Sequence, residues 1–74
     1  MAETPERTEF AEWLIGFRKH LGYSQKALAD VLGLTKKTIT AWETGRHYPD
    51  WPKRLQLNEW AREVEFRAVP PKRY

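Results

Sequence analysis

Two short helical segments lie on either side of Gly33, and this arrangement constrains the fold more than any other feature of the chain. Ser24 and Thr35 each precede one of the segments, and a hydroxyl at that position caps a helix N-terminus. Helices of eight to nine residues joined by so tight a turn can only cross steeply. Such a crossing needs a small residue where the backbones approach, which Ala29 supplies, and a corner residue tolerant of positive φ, which Gly33 supplies. The sequence therefore predicts two short, crossed helices.

Hydrophobic and capping patterns predict further helices on both sides of this pair. Thr4 and Pro5 open a first helix, and Gly22 ends it. Apolar residues recur along this helix at helical spacing, at Phe10, Trp13, Leu14, Phe17 and Leu21. A last helix opens at Asp50 or Pro52, and Asn58 can divide it into two. The predicted helices span residues 6–21, 25–32, 36–44 and 50–67.

The length of the chain limits it to one small core. It has 74 residues, 41% of them hydrophobic and none of them cysteine, so no disulfide reinforces that core. No segment alternates apolar and polar residues as a half-buried strand does, and no carboxylate stands at ligand spacing from His20 or His47. We therefore predict no metal and no cofactor. The predicted fold is all-α, a compact bundle of four to five short helices forming one domain over residues 1–74, with a helix-turn-helix at 24–45 and a flexible tail at about 68–74.

Basic residues are concentrated in the middle of the chain. Residues 1–17 carry a net charge of −3, residues 18–54 carry +5 and residues 55–74 carry +1. A polyanion would therefore meet the middle segment. The alternative is an ordinary solvated surface, because eight basic residues in this segment are only a mild excess.

Residues around the crossed pair extend the pattern. Arg18 precedes Leu21-Gly22, Ser24-Gln25 opens the second helix, Trp42-Glu43-Thr44-Gly45-Arg46 ends the third, and Pro49 precedes the last. Over about residues 10–61 the chain resembles the lambda-repressor/Cro-like (XRE-type) helix-turn-helix DNA-binding family. The resemblance implies that the third helix lies in the major groove while the second crosses the DNA backbone.

Three groups of functional residues follow from this resemblance. The base-reading residues would be Lys36, Lys37, Thr40 and Ala41, because lysine donates to guanine, threonine hydrogen-bonds either way and a methyl group contacts thymine. The phosphate-binding residues would be Gln25, Lys26, Thr38, Arg46, His47 and Tyr48. Arg18 and Glu43 would form a structural ion pair.

Some of these residues have a plainer interpretation. Lys36 and Lys37 can be a solvated pair, but cations at a helix start oppose the helix dipole by roughly a few tenths of a kcal/mol each, which favours a function for them. Gln25 can brace a base-reading side chain as well as bind phosphate, or it can be an ordinary polar residue of a first helical turn.

The four tryptophans divide into core and surface candidates. We expect Trp13, Trp42 and Trp60 in the core, because large aromatic side chains bury much area in a small chain. Trp51 either staples the last helix or forms an exposed patch with Leu57 and Val64. Such a patch would join two copies, and we expect a homodimer formed through the last helix and the C-terminal tail.

These expectations favour a sequence-specific double-stranded DNA-binding regulator, a repressor or autorepressor of phage, prophage or plasmid type that binds an inverted-repeat operator. The alternative is an antitoxin or another protein-interaction module with the same fold. An enzyme is not expected, because no catalytic constellation or phosphate-binding loop is present in the sequence. Without a membrane span or an export signal, a cytoplasmic protein of a bacterial or phage-infected cell is expected, with no small-molecule ligand.

Overall fold

Four helices make up the secondary structure of the part of the chain that the structure describes. The structure, a computed structural model, describes residues 5–69, with side chains from residue 9 onward. The helices are α1 (Pro5–Leu21), α2 (Gln25–Leu32), α3 (Lys36–Glu43) and α4 (Trp51–Glu63), with no strand within these bounds. The all-α prediction is confirmed. The predicted cap Thr4 and the tail beyond residue 69 lie outside the described residues.

Short-range hydrogen bonds set the start of α2, α3 and α4. The side chains of Ser24, Thr35 and Asp50 accept from the backbone N–H three residues further on, which caps each helix. Gly33 ends α2 in the left-handed conformation, with a φ of 71°. The helix α3 ends at Glu43, one residue before the predicted end, because Thr44 takes the C-cap position.

An aromatic cluster forms the core against which α1, α3 and α4 pack. Trp13 stacks on Phe17 with ring centroids 4.8 Å apart, and Phe10 meets the edge of Trp42 at 6.1 Å. Trp60 is only half-buried, but its ring contacts Phe17 edge to face at 5.2 Å. The aliphatic side chains around this cluster come from all four helices, and the buried side chains of the whole core are Phe10, Trp13, Leu14, Phe17, Leu28, Ala29, Leu32, Ile39, Trp42, Leu57 and Ala61. The apolar faces predicted for the helices thus point into one core.

The end of α4 differs from the prediction. The helix ends at Glu63 rather than at residue 67, and Glu65 turns the chain back with a φ of 59°. The backbone N–H of Phe66 then donates to the carbonyl of Ala61 at 2.8 Å. The turn directs the Phe66 ring onto Phe17, with centroids 5.5 Å apart, and a straight helix would not place it there.

Two polar side chains fasten this returning segment. The Trp13 indole donates from Nε1 to the carbonyl of Arg67 at 2.9 Å. The Asn58 side-chain oxygen accepts from the backbone N–H of Val69 at 3.0 Å. Asn58 therefore does not divide α4, as the sequence allowed, but instead holds residues that follow it.

The exposed apolar side chains of α4 also differ from the prediction. Leu57 is fully buried and Val64 is half-buried, so neither can form the exposed patch expected with Trp51. Trp51 itself is 61% exposed, and Leu55, one turn further along, is 39% exposed. The solvent-facing apolar surface of this helix therefore lies in its first two turns.

Candidate nucleic-acid interface

The helix α3 is anchored on one side and exposed on the other. Ile39 and Trp42 are buried, while Lys36, Lys37 and Thr40 point to solvent. The two buried residues are three positions apart, which places them on one face of the helix and leaves the opposite face to the exposed side chains. This short helix is held by its core face and its caps and presents polar side chains outward.

An open groove of about 600 Å³ runs along the exposed face of α3 and the loop after it. The residues that line the groove are Thr35, Lys37, Thr38, Thr40, Ala41, Trp42, Thr44, Arg46 and His47. Three of the four residues predicted to read bases are among them, together with three of those predicted to bind phosphate. Lys36, Gln25, Lys26 and Tyr48 lie outside this lining.

Gln25 joins α2 to the exposed face of α3. Its amide Nε2 donates to Glu43 Oε1 at 2.9 Å, and its Oε1 accepts from the Thr40 hydroxyl at 3.2 Å. Gln25 thus braces Thr40, which is one of the two roles that the sequence left open for it. One of the two amide hydrogens is used by Glu43, so the other can still donate outward.

Arg18 holds Glu43 from α1. Its Nε donates to Glu43 Oε2 at 2.7 Å, and its Nη2 reaches Oε1 at 3.3 Å. A further donor, Nη1, binds the carbonyl of Tyr23 at 3.0 Å. The side chains of Arg18 and Glu43 are only 17% and 5% exposed, so the pair is largely shielded from water. This paired geometry fixes the Glu43 carboxylate beneath Gln25.

Two of the predicted phosphate ligands have other contacts. Lys26 is exposed and pairs with Asp30 along α2 at 3.1 Å. Tyr48 is half-buried, with its ring against Phe10 at 5.6 Å and the Arg54 guanidinium 5.0 Å from its centroid. The ring of Tyr48 therefore contributes to packing as well as to the surface.

The groove contains two threonines that sequence reasoning did not assign to it. Thr35 was identified only as a helix cap, and Thr44 only as a helix residue. The cap signal could have suggested Thr35, because a capping residue lies beside the first exposed turn. The Thr44 hydroxyl donates to the carbonyl of Thr40 at 2.9 Å, and this contact depends on how the helix ends.

The described residues offer no other chemical centre of note. Among residues 5–69, no group of three or more His, Cys, Asp or Glu side chains is placed to hold a metal ion. None of the four described helices is both long and apolar enough to cross a membrane.

A family model described as helix-turn-helix matches residues 16–50, which extend from the second half of α1 through α2 and α3 to Asp50, the N-cap residue of α4. No curated protein and no solved structure matches the chain.

Proposed function

Residues 16–50 belong to the lambda-repressor/Cro-like (XRE-type) helix-turn-helix family of DNA-binding regulators, and from this premise we propose that the chain is a sequence-specific transcriptional repressor or autorepressor. Its operator would be double-stranded DNA, and its source a phage, a prophage or a plasmid. The observation that carries the proposal is the groove in which Lys37, Thr40 and Ala41 lie together with Arg46 and His47.

The dimensions of α3 fit this role. An α-helix with its side chains is about 10 to 12 Å across, which fits the major groove of about 12 Å. Lys36 and Lys37 would donate to guanine, and the Ala41 methyl would contact thymine. These contacts lie at the N-terminal and central turns of the helix, which are the turns that helix-turn-helix proteins insert most deeply.

The phosphate contacts would come from both helices of the crossed pair. Gln25 and Lys26 open α2, while Arg46 and His47 follow α3. Thr38 and Tyr48 would add hydrogen bonds from the same surface. Contacts of this kind position the protein without reading sequence. We expect binding to occur in the cytoplasm and to require neither cofactor nor catalysis.

We also propose that two copies bind together as a homodimer through α4. Trp51 and Leu55 form its exposed apolar face. A two-fold symmetric pairing of two α4 helices would cover this face in both copies. A symmetric dimer would match an inverted-repeat operator.

Selection of the purified protein on randomised duplex DNA, at two salt concentrations, tests the proposed function. We expect an enriched inverted repeat whose half-site centres lie about 10 to 11 base pairs apart. Lys37→Ala should reduce the preference at one base pair by roughly 1 to 3 kcal/mol, whereas Arg46→Ala should weaken binding to all sequences and flatten the salt dependence. Two salt concentrations are needed because phosphate contacts alone produce strong binding at low salt.

The same selection can also contradict the proposed function. Binding without any enriched motif, lost at moderate salt, would overturn the proposal of a sequence-specific regulator. It would favour an antitoxin or another protein-interaction module built on the same fold.

A further inference from the structure

The direction of one hydrogen bond determines how Thr40 can meet a base. A threonine hydroxyl has one hydrogen to donate and two lone pairs to accept with, so by itself it does not distinguish donor from acceptor partners. In this protein the Thr40 hydroxyl is not isolated, because it lies 3.2 Å from the side-chain oxygen of Gln25. The orientation of the Gln25 amide therefore decides which way the hydroxyl points.

A chain of contacts that begins at α1 fixes that orientation. Arg18 binds both oxygens of the Glu43 carboxylate and holds it in place. An ionised carboxylate only accepts hydrogen bonds, so the Gln25 group that faces Glu43 at 2.9 Å must be the NH₂. The Gln25 oxygen is then the atom that faces Thr40. Reversal of the amide would place an oxygen against a carboxylate oxygen and an NH₂ against the hydroxyl.

The Thr40 hydrogen is consequently engaged within the protein. The hydroxyl donates to Gln25, so at the exposed face of α3 only its lone pairs remain available to a partner. In the major groove, adenine N6 and cytosine N4 are amino donors, whereas guanine O6 and thymine O4 at the corresponding positions are carbonyl acceptors. A hydroxyl that can only accept therefore suits adenine and cytosine, and it offers no donor to guanine or thymine.

We infer that Thr40 is a specificity-determining residue that selects adenine or cytosine over guanine or thymine on the strand it contacts. Gln25, Glu43 and Arg18 are positioning residues in this selection, because they act through the hydroxyl and not on the base. The inference rests on the proposed function, since it assigns a base class to one position of the proposed recognition helix.

The test compares Thr40→Val and Gln25→Ala with the unaltered chain on duplexes that carry each of the four bases at one position. That position is the one at which the base preference changes when the selection is repeated with Thr40→Val. Valine keeps the shape of threonine and removes the hydroxyl, so the changed position identifies the base that the hydroxyl contacts. For the unaltered chain we expect adenine or cytosine to bind about five- to tenfold more tightly than guanine or thymine. Because Gln25→Ala frees the Thr40 hydroxyl to rotate and donate, the ratio of these affinities should fall below about twofold.

Lys26→Ala is the matched control, because Lys26 neighbours Gln25 on α2 and its ammonium group contacts Asp30 at 3.1 Å. It should weaken binding to all four duplexes alike and leave the ratio unchanged. A preference of the unaltered chain for guanine or thymine would overturn the inference. An affinity ratio that Gln25→Ala leaves unchanged would also overturn it, and so would a selection with Thr40→Val in which the base preference changes at no position. In all three cases the specific binding itself persists. Loss of all sequence preference in the unaltered chain would instead overturn the proposed function, and this inference with it.

Discussion

At the scale of the residue, Glu43 connects the core to the proposed recognition surface. Its side chain is 5% exposed, and its carboxylate accepts hydrogen bonds from Arg18 on α1 and from Gln25 on α2. A buried carboxylate costs a great deal of desolvation unless its partners remain in place. Glu43 therefore has a structural role, which is to join α1 to α3, and a proposed functional role, which is to orient the Gln25 amide.

Replacement of Glu43 by glutamine tests both parts. Glu43→Gln leaves the Arg18 charge largely shielded and without its counter-ion, so we expect the free energy of unfolding to fall by about 2 to 3 kcal/mol. Thermal and urea unfolding measure this loss, and DNA titration measures the accompanying change in affinity. Asp30→Asn is the control, because the Lys26–Asp30 pair is exposed and should contribute less than about 0.5 kcal/mol. An unchanged melting temperature together with unchanged DNA affinity would contradict the assigned role.

At the scale of the element, the end of α4 is set by a residue in an unfavourable conformation. Glu65 has a φ of 59°, in the left-handed region that residues with a side chain seldom adopt. The turn persists because it places Phe66 against Trp13 and Phe17 and allows the carbonyl of Arg67 to accept from Trp13. Packing of the following residues thus outweighs the local preference of the chain to continue as a helix.

Glycine at this turn should stabilise the protein. Glu65→Gly removes the conformational strain, and we expect the free energy of unfolding to rise by about 0.5 to 1 kcal/mol. Glu59→Gly, the same substitution at an exposed position within α4, should lower it by about 1 kcal/mol because glycine disfavours a helix interior. Denaturant unfolding of both variants measures these changes in the free energy of unfolding. Equal destabilisation by the two glycines would show that the positive φ does not strain the turn.

At the scale of the whole molecule, the proposed recognition surface and the proposed dimer surface belong to different helices. The first is the exposed face of α3 with the loop after it, and the second is the face of α4 that carries Trp51 and Leu55. Both are held by the same aromatic core, so the angle between them is set by core packing. The spacing of two half-sites on DNA would follow from that angle.

Sedimentation over a range of protein concentrations tests the dimer. We expect the unaltered chain to exceed the 8.8 kDa of one copy, and Trp51→Ser to return it to that mass because the substitution removes the largest exposed apolar side chain of α4. Val31→Ser is the matched control, since Val31 is 56% exposed but lies on α2. A single-copy mass for the unaltered chain at every concentration would refute the homodimer, and loss of the dimer in both variants would refute its location.

The sequence by itself determined the elements whose causes are local. Hydroxyl caps at Ser24 and Thr35, a left-handed glycine at Gly33 and the apolar stripe of α1 act over three to eleven positions, so the central helix pair could be predicted closely. The family resemblance rested on the same local features. The side chains on the exposed face of α3 could also be predicted, because the exposed face of a helix follows once its buried face is known.

Only the tertiary structure decided what depends on distant partners. The Trp13 indole and the Arg67 carbonyl are in contact although the residues are 54 positions apart. The early end of α4 goes with this long-range contact and has no local signal in the sequence. The burial of Leu57 and the hydrogen-bond direction at Thr40 have the same origin, because each depends on which neighbouring helix faces the side chain. Helical spacing identifies the residues that share a face, whereas the packing of the whole core decides what that face meets.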